Sequence, residues 1–403
     1  MEYVKGEPYF LKVADKLKSF PYLNKDLVVD ILIIGGGING AIVNYYLSKK
    51  YKVALVDGSR IGYGCTSCAT ALLEYQLDDF ASDLSKEFNE DEISSCYRLG
   101  LKSIEKLEHL ANELGNTFEF RRCPTLIFSK SMLDKNSITK EIEYRKKYGF
   151  KVKLLTKENS PFPFDFTCGI YAENGGAEFN PYLFTKSLIE HSKNQENIFE
   201  NTKIIKIEKI EDCFLMETNF GEKIKAKKVI VSTGFDFEFV ENKQLCEIFT
   251  SYTIVTNPLP NLRWYKNTLL QDNSSPYHYI RFLPDNRIIC GGEDTKMKGD
   301  IEEKKALKKY ESLLKFLKEM FPAVKDEIKI EYRFCGAFGS TENNMGIIGE
   351  DENGIIDFIS CGANGIINAI RGVELVENIL ENKPDKFKDI FSPLRKWMKN
   401  HQE

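Results

Sequence analysis

The hydrophobic positions change period along this chain, and each change predicts an element. Val28-Val29-Asp30-Ile31-Leu32-Ile33-Ile34 is an almost unbroken apolar, β-branched run. Such a run predicts a strand buried on both faces. Gly35-Gly36-Gly37-Ile38-Asn39-Gly40 follows at once, then helical apolar spacing over 41–49, then a second buried-type strand over 52–57. Downstream, spacing near the helical period predicts helices over 87–114, about 134–148, 300–321 and 366–381. The Lys/Glu-laced face of the third is read as solvated. Short apolar segments predict strands at 124–129, 203–207, 214–218, 228–232, 250–256, 287–291 and 355–360. Residues 1–27 carry Tyr3, Tyr9, Phe10, Phe20 and Tyr22. They read as an ordered N-terminal extension, because disordered tails are poor in aromatics. No internal repeat and no low-complexity segment is found.

Gly35-x-Gly37-x-x-Gly40 is a weak pattern alone, but its setting between strand and helix meets the physical requirements of a dinucleotide cradle. Gly35 permits the tight turn, Gly37 lets the backbone approach a pyrophosphate, and Gly40 lets helix pack on strand. The helix N-terminus offers N–H groups and partial positive charge to phosphate. Asp57 closes the second strand about 20 residues on, where an acidic side chain reads a ribose hydroxyl. The plainer alternative is a Gly-rich turn in an unrelated α/β protein. Asn44 stands where a small residue is usual and requires a local packing explanation. A second strand–Gly–helix unit closes the chain near Gly362-Ala363-Asn364-Gly365-Ile366. A domain assembled from the two ends, with another inserted between them, fits this order.

Composition narrows the class without naming the chemistry. A length of 403 residues suggests two or three domains. The formal net charge of −4 excludes a whole-surface basic nucleic-acid binder. No run of about 18 apolar residues predicts a transmembrane helix. The N-terminus lacks the pattern of a signal peptide, so a cytoplasmic location and free thiols are expected for the 10 Cys.

The cradle alone does not choose between FAD and NAD, and the segment after it carries a resemblance that does. Gly58-Ser59-Arg60-Ile61-Gly62-Tyr63-Gly64-Cys65-Thr66-Ser67-Cys68-Ala69-Thr70-Ala71 is small and hydroxyl-rich. Here the sequence resembles the D-amino-acid oxidase-like superfamily of FAD-dependent oxidoreductases, in its glycine oxidase and sarcosine oxidase branch. Gly176-Ala177-Glu178-Phe179-Asn180-Pro181, the 203–207 strand, Val229-Ile230-Val231-Ser232-Thr233-Gly234, Gly346-Ile347-Ile348-Gly349 and the 361–366 loop resemble further family elements in the right order. The resemblance implies an α/β fold: a Rossmann-like FAD-binding domain with an inserted α+β substrate domain carrying a large mixed sheet. The FAD-binding part is expected at 28–80, about 165–245 and 335–403, and the substrate part at about 81–164 and 246–334. It further implies FAD contacts at Gly35, Gly37, Ile38, Asn39, Gly40, Asp57, Gly58 and Ser59. Others are Cys65, Thr66, Ser67, Thr70, Ala71, Ile205, Thr233, Gly234, Gly362, Asn364, Gly365 and Ile366. The 362–366 loop, opening a helix, suits negative charge on the N1/C2=O side of a reduced flavin. Noncovalent FAD is expected, with Cys335 and Cys361 the thiols to check for attachment.

The resemblance also implies a small-molecule amine or amino-acid substrate. Its α C–H would deliver hydride to flavin N5, and the imine would then hydrolyse. The electron acceptor is not specified. Candidate catalytic residues are Tyr279, Arg281 and Tyr252. On a strand, Tyr277, Tyr279 and Arg281 share one face and His278 lies opposite. Arg281 reads equally as a carboxylate clamp or as a surface Arg beside packing tyrosines. Glycine oxidase-like members carry a carboxylate-binding Arg near the place of Phe338, and Asn343-Asn344-Met345-Gly346 replaces their Asp-Gly-x-Pro. A different amine, or a carboxylate held by Arg281, is left open. Two further readings stand beside this one. They are a glycerol-3-phosphate dehydrogenase-like enzyme and a flavin-binding subunit without independent activity. Cys65-x-x-Cys68 lacks partner ligands for zinc and reads as small residues beside a cofactor. His109, His191 and His401 are expected at the surface, and His278 in packing.

Overall fold

The computed structural model describes residues 2–85, 88–240, 245–362 and 364–395. Its described strands form two sheets. The eight-stranded sheet is parallel at its centre. There Ile356–Ile359, Lys223–Val231, Leu27–Ile34, Val53–Val56 and Ile198–Phe199 lie side by side. Ile347–Glu350 adds an antiparallel edge, and Ile204–Ile210 and Cys213–Thr218 form a meander against Lys223–Val231.

The unbroken apolar run at 28–34 is explained by two separate cores. Ile31 and Ile33 pack with Val53 and Leu55 beneath the helices Ile38–Leu47 and Gly365–Leu380. Leu32 and Ile34 turn to the opposite face and pack with Ala54, Val56, Met216 and Val231. Alternation persists inside a run that shows none, because both faces are covered. Asn44 finds its explanation here as well. It is fully buried, exchanges hydrogen bonds with the Asn194 side chain, and donates to Ser192 Oγ (2.9 Å). That pairing ties the helix Ile38–Leu47 to the end of the helix Pro181–His191.

The ten-stranded sheet is mostly antiparallel. Its central order runs Ile330–Ser340, Glu247–Thr256, Ile288–Lys296, His278–Phe282, Leu269–Asp272, Arg121–Ser129, Cys168–Glu178. Leu269–Asp272 and Arg121–Ser129 pair parallel. The helix Glu303–Met320 covers one face through Ala306, Tyr310, Leu313 and Leu317.

Several strands lie elsewhere than expected. Val4–Gly6, in the expected extension, forms an edge strand beside Ile330–Ser340, with Tyr9 and Phe10 buried next to it. Leu72–Glu74 and Cys168–Glu178, expected in the nucleotide part, pair with each other in the large sheet. The Glu-Asn-Gly-Gly stretch within 168–178 hides that strand from pattern reading, and the strand at 330–340 is likewise not expected from its pattern. No helix among the described residues is long and apolar enough to cross a membrane.

One buried ion pair clamps the helices that back the large sheet. Arg145 Nε lies 2.7 Å from Glu141 Oε1, both side chains fully buried. Glu141 also accepts from Tyr97 Oη (3.1 Å) and the Ala81 N–H (2.8 Å). Removing one partner leaves an uncompensated buried charge. Glu141→Ala is therefore expected to cost about 3–5 kcal/mol, read as a lower denaturation midpoint.

Candidate active site

A cavity of about 610 Å³ runs between the two sheets. That volume is within the usual range for cofactor and substrate sites. One stretch of it is the cradle. Gly35 sits at φ +107°, and a Cβ there would lie 2.4 Å from the Ser232 carbonyl oxygen. A Cβ on Gly40 would lie 1.8 Å from the Gly35 carbonyl oxygen. The helix Ile38–Leu47 is thus pressed onto the strand end as only glycine permits. Gly37 differs: a Cβ would meet only Thr66 Oγ1, at 3.2 Å, and otherwise face the cavity. Asp57 accepts from the Gly36 N–H (2.7 Å) and the Ser59 N–H (2.7 Å), fixing the carboxylate at the cavity wall. Gly58, Ser59, Lys203 and Ile204 continue this end, and Cys65, Thr66, Thr70 and Ala71 line the path beyond Gly37. Gly362, Asn364, Gly365 and Ile366 meet it from the C-terminal helix. Ser360 Oγ donates to Asn39 Oδ1 (2.6 Å) and joins the two Gly-rich loops. An open cradle at a helix N-terminus, continuous with an elongated cavity, suits a dinucleotide.

Not every expected contact lines the cavity. Gly40 is behind the cradle, in the packing role just described. Ser67 turns its hydroxyl back to the Gly64 carbonyl (2.8 Å) within the tight turn Cys65–Cys68. The expected contact at Ile205 is displaced by one to three residues: its side chain is exposed, whereas Thr202, Lys203 and Ile204 line the cavity. Thr233 and Gly234 line it as expected. Cys335 Sγ points to the Lys5 carbonyl and Cys361 Sγ to Cys246 Sγ (3.5 Å), and neither residue lines the cavity.

The far wall belongs to the large sheet. Tyr279 lines it and shares hydrogen bonds with Ser251 Oγ (3.2 Å) and Thr253 Oγ1 (3.3 Å). A Cβ on Gly291 would overlap the Tyr279 ring, so the neighbouring strand must carry glycine there. Burial, and secondarily Asp294, push the Tyr279 hydroxyl up to about 12. Tyr277 lies beside it, 6.1 Å between rings, and is raised by the same two causes in the same order.

Arg281 and Tyr252 require correction. Arg281 lies on the Tyr279 face, but its guanidinium is buried against the protein. Nη1 donates to the Thr70 carbonyl (2.5 Å) and the Phe179 carbonyl (2.9 Å). Nε lies 2.6 Å from Glu178 Oε2, an ion pair without the in-line approach of a hydrogen bond. The residue anchors the sheet and does not line the cavity. Tyr252 falls on the opposite face from Ser251 and Thr253, donating to or accepting from Thr295 Oγ1 and packing against Tyr310. His278 stacks on Phe316 (4.0 Å) and bonds Asp272, as a packing residue. His109 and His191 are exposed; His401 lies outside the described residues.

Pattern reading missed Glu74, Gln76 and Asp78. Leu73, Tyr75 and Leu77 are buried in the core, and Glu74, Gln76 and Asp78 line the cavity, with Leu73 and Leu77 adding apolar surface to it. The alternating order Leu73-Glu74-Tyr75-Gln76-Leu77-Asp78 is the signal that could have found them.

The model of the family DAO, FAD dependent oxidoreductase, matches residues 30–377. The chain belongs to this family. It is an FAD-dependent oxidoreductase, and the cradle just described fits that cofactor. Among proteins similar to this chain, the putative Rieske 2Fe-2S iron-sulfur protein YhfW of Bacillus subtilis is 22% identical over 395 residues, covering 96% of this chain and 75% of that protein. Glycine oxidase of the same organism is 24% identical over 369 residues, covering 88% and 93%. The crystal structure of glycine oxidase from Geobacillus kaustophilus superposes with a TM-score of 0.78 at 18% identity, covering 92% and 99%.

Gly37→Val would fill the open cradle with a branched side chain, so the purified variant is expected to lack the yellow flavin spectrum. Burial, then Asp78, raises the Glu74 carboxyl to about 7, against opposing effects of Arg145 and Gln76. Folded Glu74 therefore keeps a proton that the unfolded chain has already released, and its stabilisation is lost as pH rises to and through about 7. Up to about 3 kcal/mol is lost in this way. Glu74→Gln is accordingly expected to melt above the native protein at about pH 8.5 and level with it near pH 4.5, by calorimetry.

Proposed function

We propose that this protein oxidises the C–N bond of a small-molecule amine or amino acid. The observation that carries the reading is the distribution of charge along the cavity. Among the described lining residues, the cations are Arg60 and Lys203, both beside the Asp57–Ser59 end. The wall formed by Tyr277, Tyr279, Ser251, Thr253 and Gln271 presents hydroxyls and an amide instead. Such a wall suits a small polar nitrogen compound and offers no basic cluster for a substrate phosphate. Relatives named for oxidation of glycine and of gamma-glutamylputrescine are consistent with nitrogen substrates.

The chain's own groups have definite tasks in this reaction. The bound FAD supplies the acceptor for two electrons from the carbon next to nitrogen. Tyr279, held by Ser251 and Thr253 and seated over Gly291, fixes one wall of the substrate space. Its hydroxyl stays protonated at neutral pH and can donate to the substrate. Tyr277 and Phe338 add aromatic surface to the cavity lining.

Anaerobic addition of candidate substrates tests the reading. An amine or amino acid is expected to bleach the oxidised flavin bands. Bleaching by glycerol phosphate alone would assign a hydroxyl-oxidising enzyme. A bound flavin that no class reduces would assign a flavin-binding subunit.

A further inference from the structure

We propose that Glu74, with Gln76 beside it, receives the protonated nitrogen of the substrate and takes its proton, so that the substrate is an amine without a carboxylate on the reacting carbon. This rests on the C–N oxidation proposed above and narrows it.

Backbone pairing sets the place of both side chains. The strand Leu72–Glu74 pairs antiparallel with Cys168–Glu178, Glu74 opposite Gly176. Its end is tied to the C-terminal loop, since the Glu74 N–H donates to Asn364 Oδ1 (3.1 Å) and Asn364 Nδ2 donates to the Gln76 carbonyl (2.8 Å). Glu74 and Gln76 are therefore held where the Gly362–Ile366 part of the cavity meets the large sheet.

The hydrogen bonds made here, and the one left unmade, identify the ligand. Gln76 Nε2 donates to Glu74 Oε2. That uses one N–H of the amide and leaves Gln76 Oε1 as a buried acceptor without a donor, on a residue only 2% exposed. A buried acceptor without a donor is costly unless a ligand supplies one. Glu74 adds a second acceptor group, and Asp78 lines the same wall. No Lys, Arg or His lines this part among the described residues. The missing partner is thus a donor-rich group, and an ammonium, with three N–H donors and a positive charge, satisfies both. A substrate carboxylate would instead face Glu74 and Asp78 without a cation to hold it.

The same group can manage the proton. Burial, and then Asp78 on the same segment, raise the Glu74 carboxyl, while Arg145 from the helix Lys135–Lys147 and the Gln76 amide oppose them. The Arg145 guanidinium is bound to Glu141 and Tyr75 on the far side of the segment. Near neutrality Glu74 is consequently poised between its charged and protonated forms. In the step, one N–H bond of the ammonium breaks and an O–H bond forms on Glu74. The nitrogen lone pair is set free, and no electrons leave the substrate. An alkylammonium otherwise holds its proton to about pH 10.

The test uses the FAD-loaded protein with hexylamine, N-methylhexylamine, glycine and sarcosine as anaerobic reductants. The binding probe is tert-butylamine, which has no hydrogen on the carbon next to nitrogen. The alkylamines are expected to bleach the flavin about a hundredfold faster than the amino acids. Native kcat/KM should fall below about pH 7. Glu74→Gln should lose that limb, lower kcat/KM at neutral pH by about tenfold or more, and bind tert-butylamine about tenfold more weakly by calorimetry. Gln76→Leu should raise KM severalfold without moving the limb. Amino acids that reduce the flavin as fast as the amines would overturn this proposal and leave C–N oxidation standing. So would a Glu74→Gln protein that keeps FAD, the limb and the tert-butylamine affinity. Should Glu74→Gln fail to hold FAD, an unchanged KM in Gln76→Leu overturns it instead. Failure of every amine and amino acid to reduce the flavin would overturn the C–N reading itself.

Discussion

The close approach of Gly40 to the Gly35 carbonyl governs this molecule. It sets the first long helix directly on the end of the first long strand and aims the helix N-terminus at the cavity. Everything along the cofactor path is placed relative to that contact. Asp57 reaches back to the Gly36 N–H, and Thr66 accepts from the Ile38 N–H (2.9 Å). Asn39 takes the Ser360 hydroxyl across to the C-terminal loop. A cradle built from backbone cannot tolerate displacement of the helix, which is why Asn44 and Asn194 fasten its far side.

The large sheet meets the cradle through buried charge. Glu178 lies between Arg121 and Arg281, and Arg281 in turn takes the carbonyls of Thr70 and Phe179. These bonds join the cofactor segment around Thr70 to the sheet that carries Tyr279. An arginine expected to hold a substrate carboxylate serves here as a rivet between layers. Paired buried charge of this kind ties the two walls together.

Much of the nucleotide half was legible in the sequence, because its elements are local and its glycines have backbone reasons to be there. The strand at 27–34, the turn, the helix and Asp57 follow each other without interruption. The substrate half was less legible. Arg281 and Tyr252 were chosen from strand alternation, which names a face but not what covers it. Alternation did place Arg281 with Tyr279; the cover over that end of the face is Thr70 and Phe179, distant in sequence. Tyr252 faces the helix Glu303–Met320 for the same kind of reason. Glu74 was passed over because its strand is only three residues long and its partner contains Gly175-Gly176, and Gln76 and Asp78 because they follow that strand in irregular chain.

The weaving of the chain between its sheets bears on synthesis. The parallel sheet takes strands from 27–56, from 198–231 and from 347–359, and the other sheet begins with Val4–Gly6 paired to Ile330–Ser340. Neither layer can close while the ribosome still holds the last third of the chain. The nascent protein must carry the apolar strand Leu27–Ile34 with one edge paired to Val53–Val56 and the other open until Lys223–Val231 has been made. The layout that brings both ends of the chain to one cavity thus leaves a long strand edge open to other chains during synthesis.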